Sequence, residues 1–359
     1  MKFDDFLKKV SDVDGISDIH LKVGTPPVLR RDGTLIFAPL SPLTRPALDE
    51  ILSGLVTEEQ LREFEAKSEL DFAISFEGIG RCRVNLYKEK GNPAIAMRFV
   101  PEHIKSTEEL KLSPILKEWA LSPRGLILCT GTAGSGKSTT IAAMLNYVNQ
   151  NVEKNIITVE DPIEFIFKDN KSIISQREVG IDTVSFNEAL RRVFREDPDI
   201  IYVGEIRDFE TMDMCLKVAD TGHLVVSTLH TLNATETINR IISFFPSHQH
   251  EHIRTLLAAT LVGVISLRLL PYKDGKGRVP ACEIMVCTEI MKKYILEGKT
   301  ELIPKAIEDG MLYYHMQTFD QSIMLLYKNG LISQETAFRS VTNVDEFERQ
   351  LKGIKDFKP

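Results

Sequence analysis

The chain is short of several features that would place it at once. It has a single tryptophan, 8% aromatic residues and a net charge of −7 in 359 residues. That balance gives no whole-chain attraction to nucleic acid or anionic lipid, and no basic-aromatic stripe is visible, although a local basic face stays compatible with it. The five cysteines, at 82, 129, 215, 282 and 287, form no C-x-x-C pair. An odd number of thiols, several in apolar runs, points to reduced, buried cysteines rather than a disulfide framework. Cys282-x₄-Cys287 has the look of half a metal site, but no second half follows, so structural thiols are the simpler reading. Long hydrophobic runs are missing too. The longest, Leu256 to Leu267, has 12 residues between Arg254 and Arg268, against the roughly 20 a membrane span needs; it reads as a core helix. Met1-Lys2-Phe3-Asp4-Asp5 is acidic and lacks the apolar core of a signal peptide. These absences favour a cytoplasmic chain that meets a membrane only through a partner.

What is present is a globular composition, 43% hydrophobic and 26% charged, in a length that suggests two domains. Its centre is Gly131-Thr132-Ala133-Gly134-Ser135-Gly136-Lys137-Ser138, which fits G-x-x-x-x-G-K-[ST], the P-loop. The glycines let the backbone turn its N–H groups toward an anion. Lys137 is suited to β/γ-phosphate oxygens and the Ser138 hydroxyl to Mg²⁺, with Thr139 following in the same turn. Gly125 to Thr130 reads as a buried strand and Ser138 to Asn149 as a helix, so the loop has the context that a phosphate site requires. The chain is expected to bind ATP.

Residues 1 to 100 carry no nucleotide motif and read as a small α+β domain. Ile19 to Val23 alternates, Val28 to Arg31 reaches the hairpin signal Asp32-Gly33, and Leu35-Ile36-Phe37 returns. Helices are expected over Thr44 to Gly54 and Thr57 to Ser68, then strands over Leu70 to Phe76, Gly80 to Tyr87 and Ala94 to Phe99. Residues 101–114 are the linker candidate and 115–359 the ATPase domain. After a short helix, Ile115 to Leu121, strands and helices alternate, the mark of a parallel sheet with both faces covered. The strands are Leu126 to Thr130, Ile156 to Val159, Ile200 to Val203 and Leu224 to Leu229. A capping box, Ser185 with Glu188, opens one helix, and Asp208 caps Phe209 to Asp220. From about residue 290 five helical stretches form a C-terminal subdomain, with Gly298, Gly310 and Gly330 between them.

Two of the strands run into acids, Glu160-Asp161-Pro162-Ile163-Glu164 and Gly204-Glu205-Ile206-Arg207-Asp208. ATP hydrolysis needs an anchor for the metal, a group to position water and cations on the transferring phosphoryl. Spacing alone does not say which acid does which. Ser227-Thr228-Leu229-His230-Thr231 closes another strand, where polar residues face the ligand crevice. His230 is either a γ-phosphate sensor or a histidine bonded to structure; His223 reads as structural. His248 and His252 share a helix face, yet no further ligand completes a metal set.

Four boxes in order carry a family resemblance. They are the P-loop, Thr158-Val159-Glu160-Asp161-Pro162-Ile163-Glu164-Phe165, Asp197-Pro198-Asp199 through Asp208, and Thr221-Gly222-His223 through Thr231. Together they resemble the Walker A, Asp, Walker B and His boxes of the secretion ATPase superfamily of type II secretion and type IV pili. In that family Gly204 in place of a Walker B Asp is normal. Ser17-Asp18-Ile19-His20-Leu21 with Gly24-Thr25-Pro26-Pro27 is similar to its amino-terminal signature. Gly298-Lys299-Thr300 and Met316 to Gln321 look like the retraction (PilT-type, twitching motility) branch. Glu289-Ile290-Met291-Lys292-Lys293 departs from that branch's Ala-Ile-Arg motif.

The resemblance implies a RecA-like P-loop domain behind a PAS-like amino-terminal domain, assembled as a homohexamer on an inner-membrane pilus platform protein, with no direct nucleic acid. It also implies Glu164 as the residue activating water, Glu205 on the Mg²⁺ side, and Arg83 and Arg98 reaching nucleotide across a subunit interface. Arg240 and Arg268 are weaker candidates. An assembly or secretion ATPase, an accessory retraction paralogue, a nucleic-acid translocase and a non-hydrolysing ATP-binding regulator remain as alternatives.

Overall fold

The computed structural model describes residues 3–352 apart from 12, 14, 32, 77–78 and 101–102. Met1 and Lys2, the turn residue Asp32 and the first two residues of the expected linker therefore lie outside the described residues. By its internal contacts the chain divides into two compact units, one of residues up to His103 with Glu164–Ile166, the other of the remainder.

The first unit comprises α1 (Phe3–Ser11), β1 (Ile16–Lys22), β2 (Val28–Arg31), β3 (Thr34–Phe37), α2 (Arg45–Leu55), α3 (Glu58–Lys67), β4 (Glu69–Phe76), β5 (Gly80–Glu89) and β6 (Asn92–Phe99). The strands form one antiparallel sheet in the order β3-β2-β1-β6-β5-β4. Alternation sorts its faces. Ile19, Leu21, Val84, Leu86, Ile95 and Met97 pack with Leu7 of α1, Leu48 and Leu52 of α2 and Phe64 of α3. Thr57 caps α3 with a reciprocal box, its hydroxyl accepting from the Gln60 amide at 3.3 Å and its own amide donating to Gln60 Oε1 at 3.0 Å.

The second unit is layered. Its elements are α4 (Ile115–Ala120), β7 (Gly125–Thr130), α5 (Lys137–Asn151), β8 (Asn155–Glu160), β9 (Ile173–Glu178), α6 (Phe186–Val193), β10 (Ile200–Val203), α7 (Phe209–Asp220), β11 (Leu224–Leu229), α8 (Ala234–Ser243), α9 (His250–Thr260), β12 (Leu261–Pro271) and β13 (Arg278–Val286). Among the described residues six α-helices follow, α10 (Glu289–Glu297), α11 (Ile303–Asp309), α12 (Met311–Tyr314), α13 (Phe319–Lys328), α14 (Gln334–Ser340) and α15 (Val344–Leu351). The sheet order is β13-β12-β7-β11-β10-β8-β9, parallel except for the β12–β13 pair. Separate apolar clusters cover its faces, which is why β7, β10 and β11 are buried at every residue.

One expectation fails. Leu256 to Leu267 is not a helix throughout, because α9 ends at Thr260 and β12 begins at Leu261. From Gly263 onward β12 pairs with β7 on one side and β13 on the other, and that pairing overrides the local apolar run. The β12–β7 register shifts between Leu261 and Gly263, and Gly263 leaves room for the Trp119 ring, since a Cβ there would lie 2.4 Å from it. A smaller correction concerns Ser185. Its hydroxyl accepts from the Glu188 amide at 3.2 Å, but the Glu188 carboxylate turns to Arg191 and Arg192 instead of completing a box. The elements α1, β9, α8, β13 and α12 go beyond those expected from the sequence. Among the described residues no helix is long and apolar enough to cross a membrane, and all five cysteines are free thiols. Burial pushes those of Cys82, Cys282 and Cys287 up to about 12.

Candidate nucleotide site

The parallel strands present their carboxyl ends on one side of the sheet, and the phosphate loop leaves β7 there. Gly131, Gly134 and Gly136 take φ values of 141°, 73° and 97°, which strain any other residue. Gly131 is also a matter of room. A Cβ would sit 2.5 Å from Ser135 Oγ and 2.6 Å from the Leu267 carbonyl oxygen of β12. The strand missed in the sequence is thus the floor of the loop, and Thr130 Oγ1 donates to Ser266 Oγ at 2.9 Å across the same pair of strands.

Lys137 opens α5 and is only 8% exposed. Its ammonium donates to the carbonyls of Gly131 (2.8 Å) and Thr132 (3.0 Å), so the loop curls around its own cation. Ser135 Oγ is buried with no hydrogen-bond partner. A buried hydroxyl costs free energy unless something bonds to it. Together with a helix N-terminus, these features fit a nucleotide phosphate. Ser138 is half-buried one residue further on, beside Thr139.

The two acidic strand ends behave differently. Glu160 is buried, and its Oε1 accepts from Thr158 Oγ1 at 2.6 Å and Gln176 Nε2 at 3.2 Å. That is a structural network, with Gln176 supplied by the unforeseen strand β9. Glu178, at the end of β9, accepts from the Ile163 amide at 3.2 Å and so holds the segment after β8. Glu164 comes next; it is exposed and counts with the first unit rather than with Glu205. Glu205 follows β10 with a side chain 14% exposed, ion-paired to Arg207 and 3.3 Å from His230 Nε2. Strands β10 and β11 are parallel neighbours, Val203 standing opposite Ser227, which brings Glu205 and His230 together. Arg207 completes this cluster. Its place in the Glu-x-Arg pattern was the available signal, and the ion pair to Glu205 shows that it belongs. Gly204 has a local cause as well, because a Cβ there would lie 3.3 Å from the backbone of Glu160 and Val159.

The remaining candidates separate. Arg83 and Arg98 lie in the first unit, opposite each other on β5 and β6, and Arg98 Nε donates to Asp18 at 2.7 Å. Arg268 stacks its guanidinium 3.8 Å from the Phe319 ring centre, and Arg240 stacks on Phe244 at 4.7 Å. His223 Nδ1 contacts Thr221 Oγ1 and the Val218 carbonyl, both at 3.3 Å. His250 Nε2 contacts the Phe245 carbonyl at 2.9 Å, and the described residues hold no cluster of three metal-ligating side chains.

A doubly covered parallel sheet, a glycine-strained phosphate loop around a buried lysine, and a carboxylate–histidine pair at the ends of the next two strands define a RecA-like P-loop ATPase. Residues 97–312 match the family described as Type II/IV secretion system protein. The type IV pilus retraction ATPase PilT of Pseudomonas aeruginosa is 42% identical over 90% of this chain and 93% of that protein. A twitching motility protein of Neisseria gonorrhoeae is 40% identical over 88% of this chain and 84% of its own length. The crystal structure of the pilus retraction motor PilT with bound ADP superposes with a TM-score of 0.90 at 41% identity, covering 97% of this chain and 99% of that one. The chain belongs to the type II/IV secretion system ATPase family.

Proposed function

We propose that this chain is the motor of type IV pilus retraction, the activity behind twitching motility, and that it acts as a cytoplasmic homohexamer at an inner-membrane platform protein. The observation that carries the reading is the complete phosphate loop around Lys137, in a chain that matches a retraction ATPase over nine-tenths of its length. Lys137 and the amides of Gly131 to Thr139 bind the triphosphate. Ser138 and Glu205 are a hydroxyl and a carboxylate, the hard oxygen donors that Mg²⁺ takes, and the ion would supply neutralisation of the β/γ-phosphate charge. Glu164 activates water, His230 reports on the γ-phosphate through its contact with Glu205, and Arg83 and Arg98 of a neighbouring copy add cations to the transferring group. We further propose that the domains run 1–100 and 115–359 with a linker between them.

Deletion and complementation in the source organism test this. Cells lacking the chain are expected to keep surface pili and lose retraction. The wild-type gene restores retraction and Lys137→Ala does not, because purified Lys137→Ala protein releases phosphate at background rate. Loss of pili on deletion would reassign the chain to assembly. Full rescue by Lys137→Ala would end the motor reading.

A further inference from the structure

Asp18 has no part in the chemistry above, yet it is the register partner of an arginine on each side, Arg30 of β2 and Arg98 of β6. The strand registers place Arg30 of β2, Asp18 of β1, Arg98 of β6 and Arg83 of β5 directly opposite one another in turn. Cross-strand partners share a face, so one carboxylate sits in a row with three guanidinium groups. Asp18 is 7% exposed. Its Oδ1 accepts from Arg98 Nε at 2.7 Å, its Oδ2 accepts from Ser17 Oγ at 2.7 Å, and Arg30 Nε is 3.9 Å away. A buried carboxylate bonded at both oxygens has a fixed direction. Arg98 is the opposite, with a side chain 63% exposed.

The Asp18 bond takes the Nε of Arg98, the donor nearest the chain, and leaves the two terminal nitrogens for another acceptor. Arg83 stands across from Arg98, and like charges at opposed positions in a sheet repel. The row carries more cation than Asp18 neutralises, an excess that an anion relieves. The strands do not need Asp18 as a pin, since β1 and β6 already pair continuously from Asp18 to Lys22. A carboxylate behind a guanidinium fixes its plane as an outer partner fixes a metal-bound histidine.

We infer that Asp18 is a positioning residue that holds the Arg98 guanidinium in the orientation in which its terminal nitrogens meet a nucleotide phosphate. This rests on the proposed role of Arg98. The test is a double-mutant cycle in the full-length assembled protein, reading phosphate release against ATP concentration and thermal stability together. Arg98→Ala is expected to lower kcat by about 10²-fold or more. Asp18→Asn is expected to lower kcat by about tenfold with KM within twofold, and to add nothing in the Arg98→Ala background. If Arg98→Ala slows turnover but Asp18→Asn leaves it unchanged, or multiplies the loss independently, the positioning role fails while Arg98 stands. If Arg98→Ala turns over like wild type, the role of Arg98 fails and Asp18 with it. Should Asp18→Asn not fold, Ser17→Ala decides, with an expected loss of about threefold that disappears in the Arg98→Ala background. An equal loss in both backgrounds overturns the inference.

Discussion

The two sheets of this chain carry their chemistry in different places. Strands β7 and β11 of the second unit are buried throughout, so nothing along their length can touch a ligand. Chemistry moves to the strand ends, where Gly131 to Ser138 shapes a backbone cradle and Glu205 meets His230. Strand β5 of the first unit instead alternates between buried and half-buried residues, and its sheet carries an arginine row on one face. A parallel sheet covered by helices gives up its faces to the core, whereas an antiparallel sheet with one wet face can present side chains on it. The cradle is set by backbone geometry and tolerates little. The arginine row is set by side-chain partners and can be adjusted one residue at a time.

Three substitutions sharpen or break that contrast. The largest effect is expected at a strand end. Glu205→Gln should lower kcat by about 10²–10³-fold, with the melting temperature shifted by no more than about 2 °C. A parallel loss of stability would mean that the Glu205–Arg207–His230 cluster holds the sheet together rather than serving the reaction. Glycine replacements come next. Gly263→Ala puts a Cβ 2.4 Å from the Trp119 ring and 2.7 Å from the Met285 carbonyl, and should cost about 3 kcal/mol by chemical denaturation. Gly91→Ala, in the β5–β6 turn, meets nothing within 4 Å and strains only a φ of 76°, for about 1 kcal/mol. Equal costs would show that the second unit is no less forgiving than the first.

The smallest effect concerns two carboxyls shifted in opposite directions. Burial pushes the Glu283 carboxyl of β13 up from its ordinary 4.5, and the Ala234 amide bonded to it at 2.7 Å only partly offsets this. Its proton is held more tightly in the folded state. The stability this gives is complete below about pH 4.5 and is lost as pH rises through the raised value. Glu283→Gln keeps a carbonyl oxygen for Ala234 and should raise the melting temperature by about 2 °C at pH 7 and leave it unchanged at pH 4. Burial also pushes Asp18 up, but the hydrogen bonds from Ser17 and Arg98 outweigh it and hold the carboxyl below 3.8. Its contribution is therefore present above about pH 3.8 and is lost as pH falls through the lowered value. Melting curves of wild type and variant at both pH values check the sign. A variant less stable at pH 7 would show that the carboxylate form of Glu283 supports its surroundings.

The elements legible in the sequence are those with a strong local signal. All four strands expected in the second unit match the structure to within a residue at each end, because a strand buried on both faces is a largely apolar run bounded by turn residues. Thr57, Ser185 and Asp208 each cap the helix they were expected to open. β9 escapes because it is an edge strand whose residues, Ile173-Ile174-Ser175-Gln176-Arg177-Glu178, are mostly exposed or half-buried. β12 escapes because Leu256 to Leu267 is apolar on both sides of the point where helix becomes strand. In the site, Lys137, Ser138 and the glycines lie in one contiguous motif and could be named from spacing. The separation of Glu160 from Glu205 could not, since both are acids closing buried strands.

The sequence by itself determined the phosphate loop, the alternation that builds a covered parallel sheet, and the family to which the chain belongs. Each depends on residues close together along the chain or on boxes in a set order. Tertiary structure alone decided which strand floors the loop, which acid is absorbed into hydrogen bonds with Thr158 and Gln176, and which one meets a histidine 25 residues away. It also decided that Asp18 reaches Arg98 across 80 residues. Strand order and register are set by how whole faces pack, and a side chain's partner depends on which strand lies beside it. No local pattern carries that information.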